Sequence, residues 1–336
     1  MAQYDFAPQL TRIHTTNTGQ NIHLEMFSHD VDTKFKLVSL FDGLTQKRVT
    51  LPNTNTFRLD RLGASEVKSR QVGDKLEPQK VPNNKLTVVL DKALYIQNNI
   101  DFMDDWTSPD YRREIAGNNA SVFARDWDIA HVIQLLKCRT WKAPAELKAN
   151  GVFFDGTDVT ANIKAAPTNR ADHEANAMAL ANAHAKAVET LITRDIPLQN
   201  MVTIVKPEIY SLLMNHPTLI NKDFSAGNGD YANRRVMRLN GIDIVEANCF
   251  PTAVGNHTLH STVQPELNMA VAADDLKYGM VVFDKGLSLI DIIAKDFHTS
   301  HVAREEEQIQ YLTTVAMKTV VARRPDTVVP VKVVAA

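Results

Sequence analysis

The residues of this chain best spaced for chemistry are those of GNGDYA, Gly227 to Ala232. They match the G-x-G-x-x-G/A pattern of dinucleotide-binding turns, and Glu246 lies downstream in the place of a ribose-binding carboxylate. In that chemistry the glycines let the backbone approach a pyrophosphate held at the N-terminus of the next helix. The flanks do not suit it. LINKDFSA stands where a strand is needed, and the β-patterned RVMRLNGIDIVEA stands where a helix is needed. The pairs His257/His260 and His298/His301 have the i, i+3 spacing that offers two imidazoles to a metal on a helix. Both fall in predicted loops or strands, and no third ligand has a suitable spacing. His173-Glu174 opens no H-E-x-x-H site, because position 177 is alanine, and the chain has no G-x-S-x-G elbow, G-x-x-x-x-G-K loop or C-x-x-C pair. Cys138 and Cys249 are far apart in sequence and read as small buried hydrophobes made in a reducing compartment. No catalytic, cofactor-binding or metal-binding residue is therefore expected, and an α/β nucleotide-binding enzyme is the disfavoured alternative.

Composition agrees with a structural role. A chain of 336 residues with 44% hydrophobic and 23% charged residues has enough apolar material for two or three packed domains. A formal net charge of −2 gives no overall attraction to nucleic acid and permits dense self-association. MAQYDFAPQLTRIH lacks a basic n-region and an apolar core, and no run of 18 apolar residues occurs, so neither secretion nor membrane spanning is expected.

The elements are most sharply drawn from Asp195 to Pro251. MVTIVKP predicts a short buried strand, PEIYSLLMNH a helix with proline in its first turn, and RVMRLNGIDIVEA a hairpin about Asn240-Gly241, where both turn residues need positive φ. Upstream, residues 21–41 mix apolar and charged positions at roughly helical spacing. A long two-stranded excursion follows, returning through KLTVVLDKALYI; positions 58–85 carry eleven charged residues together with Gly63, Gly73, Pro78 and Pro82. Such a ribbon has no third layer on which to bury a face, so it lies on something else or is floppy.

Two long helices follow. The first, about 108–141, has Ser108 as N-cap, Pro109 behind it and an apolar stripe of Ile115, Val122, Ile129, Ile133 and Leu136; some 30 residues give a rod of roughly 45 Å. Gly117, Asn118 and Asn119 could mark a bend. The second is NRADHEANAMALANAHAKAVETLIT, with Asn169 as N-cap, Asp172 completing a capping-box-like start, and Met178, Ala181, Ala185, Val188 and Ile192 on its buried side. KYGMVVFDKGLSLIDIIAKDF predicts strands about a Lys285-Gly286 turn, and the chain ends in YLTTVAMKTVVARRPDTVVPVKVV, also β-rich. The run Arg304, Glu305, Glu306, Glu307 reads as a solvated face, and Asp104, Asp105, Asp110, Arg112 and Arg113 cluster at the start of the first long helix.

The order of these pieces, PEIYSLLMNH followed by GDYANRRVMRLNGIDIVEANCFP above all, resembles the axial domain of major capsid proteins of tailed bacteriophages, closest to those of short-tailed podoviruses of the autographivirus type. The resemblance implies the Hong Kong 97 α+β fold: an N-terminal arm (1–50), an extended E-loop (51–97), a peripheral domain (98–149 and 276–336) built on the long spine helix, and an axial domain (150–275). It implies hexamers and pentamers of an icosahedral head around double-stranded DNA held without sequence-specific contacts. It also implies a separate scaffold protein, a portal and, as an optional partner, a decoration protein, with assembly in the host bacterial cytoplasm and a final place in the virion capsid. The E-loop residues Arg58, Arg61, Lys68, Arg70, Asp74, Lys75, Glu77 and Lys80 are expected to form ion pairs with a neighbouring subunit. Gly227, Gly229 and Asp230 would form an adaptable axial loop beside the Asn240-Gly241 turn, and the closing strands would return to the spine helix. An encapsulin-like compartment shares this fold and is the nearer alternative.

Overall fold

Strand burial follows the apolar patterning. Met201–Val205 and Tyr278–Asp284 are buried at every position, as expected of strands covered on both faces. Ile309–Ala322 alternates over most of its length, as expected of a strand with one face on the core.

The computed structural model describes residues 30–35, 39–51, 54–103, 111–149, 151–216 and 238–335. After a helical segment at 30–35, these form β1 (Gln46–Val49), β2 (Thr56–Leu62), β3 (Asn83–Val89), β4 (Leu94–Asp101), α1 (Tyr111–Lys137), α2 (Ala145–Ala149), β5 (Val159–Ile163) and α3 (Arg170–Ile192). There follow β6 (Met201–Val205), α4 (Pro207–Leu213), β7 (Arg238–Leu239), β8 (Ile242–Glu246), β9 (Gly255–Asn256), β10 (Ala270–Val271), β11 (Tyr278–Asp284), β12 (Leu289–Arg304), β13 (Ile309–Ala322) and β14 (Val328–Ala335).

A six-stranded mixed sheet runs β5-β14-β11-β6-β8-β7, and a four-stranded sheet runs β1-β12-β13-β4. The period of two along β6 and β11 divides the core. Met201, Val205, Met280 and Val282 pack with Leu180, Ala183, Ala187 and Leu191 of α3. The alternate residues Val202, Ile204, Val281 and Phe283 share a second cluster with Phe123, Trp127 and Leu136 of α1. Thus α1 serves both the four-stranded sheet and the far face of the six-stranded one.

Four expectations about the strands change. KLTVVLDKALYI is not one return strand: β3 pairs with β2, while β4 pairs with β13 in the other sheet. The expected boundary at 275/276 runs through a sheet, because β11 and β14 lie in the six-stranded sheet with β5 and β6, and only β12 and β13 join the four-stranded sheet. The final strand accordingly lies between β5 and β11. The turn at Lys285-Gly286, with Gly286 at φ 83°, links the two sheets and closes no hairpin.

In α1 the described helix runs unbroken for 27 residues, about 40 Å; Ser108 and Pro109 lie outside the described residues. Ile133 and Leu136 are buried and Ile115 and Ile129 partly so, but Val122 is 51% exposed. The buried face is made by Ala116, Ala120, Phe123, Trp127 and Ala130, roughly 60–140° around the helix from Ile115 at about 100° per residue. Small and aromatic residues carry it, so a stripe of branched aliphatics marks its edge. Asn119, where a bend was conceivable, donates instead to Asn98 Oδ1 of β4 at 2.7 Å.

In α3 the stripe also shifts. Leu180, Ala183, His184, Ala187, Val188 and Leu191 are buried, whereas Met178 and Ile192 are more than 40% exposed and Ala185 faces solvent. Alanine occurs on every face of this helix, so periodicity alone does not select one. Asn169 makes no side-chain cap bond. Asp172 turns instead to Lys164 Nζ at 2.6 Å and to the Thr168 amide at 3.3 Å.

Candidate intersubunit surfaces

Among the described residues, β2 and β3 form a ribbon with no third strand. Its root is covered, since Leu86, Val88 and Leu90 pack with Leu267, Ile290, Ile292 and Val321. Arg61 fastens that root. Its Nε donates to Arg323 O and its Nη2 to Ala322 O, both at 2.9 Å, and its guanidinium lies 5.4 Å from the Trp141 ring centroid. Arg61 is therefore buried within its own chain and is withdrawn from the expected set of intersubunit ion pairs. A guanidinium reads as a surface charge in sequence, but its fork also satisfies backbone carbonyls at a strand end.

Beyond the root, Gly63 N donates to Pro82 O at 2.9 Å, and residues 65–78 are exposed throughout. The tip turns at Gly73, whose φ is 104°, with Gln71 N donating to Asp74 Oδ2 at 3.1 Å. Lys68 and Glu77 pair across the loop at 3.3 Å with both side chains largely exposed, a contact worth about 0–1 kcal/mol. Arg58, Arg70, Lys75 and Lys80 are exposed. Sequence reasoning attended to these charges and passed over Val67, Val72 and Leu76, which are 102%, 103% and 79% exposed. These three bare aliphatic side chains lie on an excursion that has no core of its own. Their occurrence inside a charged run was the signal.

The second surface is the β7–β8 hairpin at the edge of the six-stranded sheet. Asn240 and Gly241 have φ of 52° and 80°, the positive pair that a tight two-residue turn requires. Arg238 and Asp243 pair at 2.8 Å on its exposed face. Beneath it, His184 is fully buried with its pKa lowered to about 4 by desolvation. Gly227, Gly229 and Asp230 lie outside the described residues. Glu246 ends β8, a strand parallel to β6, so a strand occupies the place where a dinucleotide fold needs its helix.

The remaining polar candidates act within the chain. His257 Nε2 lies 3.2 Å from Asp126 Oδ1 and Thr258 Oγ1 donates to Asp126 Oδ2 at 2.7 Å. Burial raises the Asp126 carboxyl, but the His257 contact and the Thr258 bond outweigh it and hold the group below its ordinary range. His260 Nδ1 accepts from Met269 N at 3.1 Å. His298 and His301 lie along β12. Among the described residues no group of three or more His, Cys, Asp or Glu is arranged to hold a metal. Cys138 and Cys249 are buried, which pushes each thiol up to about 12. Arg304 and Glu307 pair at 3.3 Å where β12 turns into β13, and Arg112 Nη2 donates to Gln310 Oε1 at 2.7 Å. Asp104, Asp105 and Asp110 lie outside the described residues.

Two further buried clusters tie the segment before β1 to the body. Asp128 of α1 accepts from Ser39 Oγ at 2.9 Å and Leu40 N at 3.0 Å. Asp291 of β12 joins Thr45 Oγ1 at 2.7 Å to His131 Nε2 at 2.8 Å. Among the described residues no helix is long and apolar enough to cross a membrane.

No family model matches the chain, and no curated protein does. Solved structures do. The chain is 35% identical to a chain in the asymmetric unit of the bacteriophage PhiM1 mature capsid, over 89% of this chain and 88% of that one, with a TM-score of 0.75. It is 19% identical to a chain of the capsid of cyanophage P-SCSP1u, over 89% of each, with a TM-score of 0.69. It is 10% identical to a chain of a virus-like particle from Pyrococcus furiosus, over 92% of this chain and 99% of that one, with a TM-score of 0.54. The last two likenesses concern the fold alone.

Proposed function

Because this chain belongs to the major capsid proteins of tailed bacteriophages and has their Hong Kong 97 α+β fold, we propose that it builds an icosahedral head of hexamers and pentamers around double-stranded DNA. It is a shell protein of the virion capsid. Under this reading it is not an enzyme, it binds the enclosed DNA without reading sequence, and it comes from a short-tailed phage.

The observation that carries the proposal is the β2–β3 ribbon. It leaves the body on a fastened root, and its tip exposes Val67, Val72 and Leu76 among Lys68, Arg70, Asp74, Lys75, Glu77 and Lys80. A single chain gains nothing from that arrangement. A neighbouring copy would cover the aliphatic residues, and charges around them would set register. Each exposed pair contributes only about 0–1 kcal/mol, so cohesion comes from repetition over many subunits.

In this assembly the six-stranded sheet with α3 and the β7–β8 hairpin forms the axial part, and α1 with the four-stranded sheet the peripheral part. A separate scaffold protein and a portal are its partners, with a decoration protein as an optional one, and assembly takes place in the host cytoplasm. The encapsulin-like alternative is less supported, since the likeness to the virus-like particle from Pyrococcus furiosus concerns the fold alone.

Electron microscopy of the protein coexpressed with its scaffold tests the proposal. Closed shells are expected; dimers or tetramers under every condition would overturn it.

A further inference from the structure

Two short connections carry the chain between its two larger sheets, residues 285–288 from β11 to β12 and residues 323–327 from β13 to β14. They meet in one buried polar cluster. Asp284, Ser288 and Thr327 are each 0% exposed. Asp284 N donates to Ser288 Oγ at 3.1 Å, Ser288 Oγ lies 2.8 Å from Thr327 Oγ1, and Thr327 Oγ1 donates to Arg324 O at 2.8 Å. With Ser288 as the central donor, the bonds form a single directed relay from the first connection to the second. Arg323 N donates back to Ser288 O at 2.9 Å, so the two connections are joined twice.

The relay begins at the backbone amide of Asp284, whose carboxyl caps the first connection. Its Oδ1 accepts from Leu287 N at 3.2 Å. Its Oδ2 is buried and, among the described residues, has no hydrogen-bond partner. An ionised carboxylate with one oxygen shut away from water and unpaired is costly, and a proton removes that cost. The charged group that faces it is Arg324 of the second connection, whose guanidinium is already engaged by Asp326 at 2.8 Å and Val152 O at 2.9 Å.

We propose that these two connections form one latch between the sheets, whose hold is set by whether Asp284 carries a proton. Burial pushes this carboxyl up to about 6 against the pull of the Leu287 amide and Arg324. A carboxyl raised in the closed state holds the latch fully below its free value near 4, and the hold weakens as pH rises through about 6. The latch would let the two parts of one subunit settle at different angles as conditions change.

Hydrogen exchange of the full-length chain, with rates corrected for intrinsic pH dependence, tests this on peptides covering 284–290 and 322–328. Between pH 5 and pH 8 both segments are expected to open about tenfold more readily, and in step. D284N should hold both at the slow rate at both pH values. S288A removes the hydroxyl relay but keeps the Arg323 N–Ser288 O bond, so 284–290 should stay fully responsive while the response of 322–328 shrinks. A wild-type pH difference retained in D284N, or a response confined to one segment of the native chain, would overturn the latch. Should D284N not fold, the S288A comparison decides, since a response of 322–328 undiminished without the Ser288 hydroxyl would exclude the relay.

Discussion

The side-chain amide of Asn240 donates to Nδ1 of His184 across 3.0 Å, joining the β7–β8 turn to the second long helix. That bond makes Nδ1 the acceptor, so Nε2 carries the proton and faces Thr203 Oγ1 at 2.9 Å. Asn240 thus has two separable duties, its positive φ and its amide. Asn240→Gly keeps the first and loses the second, with an expected loss of about 1 kcal/mol. Asn240→Ala loses both, for roughly 1–2 kcal/mol more. Urea denaturation of wild type and the two variants checks the order; an Asn240→Gly variant as stable as wild type would mean that only the turn matters.

His184 also predicts acid sensitivity. Its folded pKa of about 4 lies below the ordinary value of 6.5, so the native state binds fewer protons than the unfolded chain. Stability from this group is complete above 6.5 and is lost as pH falls toward 4, by about 3 kcal/mol in all. Asp284, raised to about 6, acts with the opposite sign in an overlapping window. The whole-protein profile therefore conceals both. His184→Gln should remove the acid loss, measured as stability between pH 7 and pH 4.5 against wild type, and an unchanged profile would assign that loss elsewhere.

Legibility in the sequence depended on how local each cause was. The Asn240-Gly241 turn, the Pro207 helix start and the buried run MVTIV are fixed by their own residues, and all three stand where the sequence places them. Sheet membership is decided by partners distant in sequence: β11 and β12 are adjacent in sequence yet enter different sheets. Helix faces were misread where alanine serves as core, at Ala116 and Ala120 in α1 and at Ala183 and Ala187 in α3. An alanine is buried by the close approach of a neighbour, which composition does not reveal. Arg61 was misplaced for a related reason, since the carbonyls it serves are 261 and 262 residues away.

That reassignment makes Arg61 a test of the ribbon root. Arg61→Ala leaves the carbonyls of Ala322 and Arg323 without their donor and uncovers Trp141, for an expected loss of about 1–3 kcal/mol. Arg61→Lys should restore only part, because an ammonium cannot present the guanidinium's fork. Arg58→Ala, on the exposed side of the same strand, should stay within about 0.5 kcal/mol of wild type. Thermal melts of the unassembled chain distinguish the three; equal losses at Arg58 and Arg61 would place the anchor outside this side chain.

The buried face of α1 predicts a similar contrast. Phe123 is 5% exposed and Val122 is 51% exposed. Phe123→Ala should cost about 3–5 kcal/mol through the cavity it leaves among Phe297 and its neighbours. Val122→Lys should be nearly neutral. Denaturation midpoints settle which stripe faces the core, and a large loss at Val122 would restore the aliphatic one.

The ribbon tip separates folding from the proposed assembly. Gly63 N donates to Pro82 O at 2.9 Å, and the apolar root contacts begin at Leu86, so removal of residues 64–80 leaves every covered side chain of the root in place. The melting temperature of the unassembled chain should therefore hardly move. Shells should fail to form, because the deletion removes Val67, Val72 and Leu76 along with most of the charges meant for a neighbour. The triple variant Val67→Ser, Val72→Ser, Leu76→Ser keeps the charges and the loop length. If cohesion at the tip comes from covering apolar surface, this variant should assemble as poorly as the deletion, since each exposed ion pair contributes only about 0–1 kcal/mol. If it assembles well while a variant neutralised at Arg70, Lys75 and Lys80 does not, the charges hold the contact. Normal shells from the deletion itself, seen by electron microscopy, would remove the ribbon from the interface.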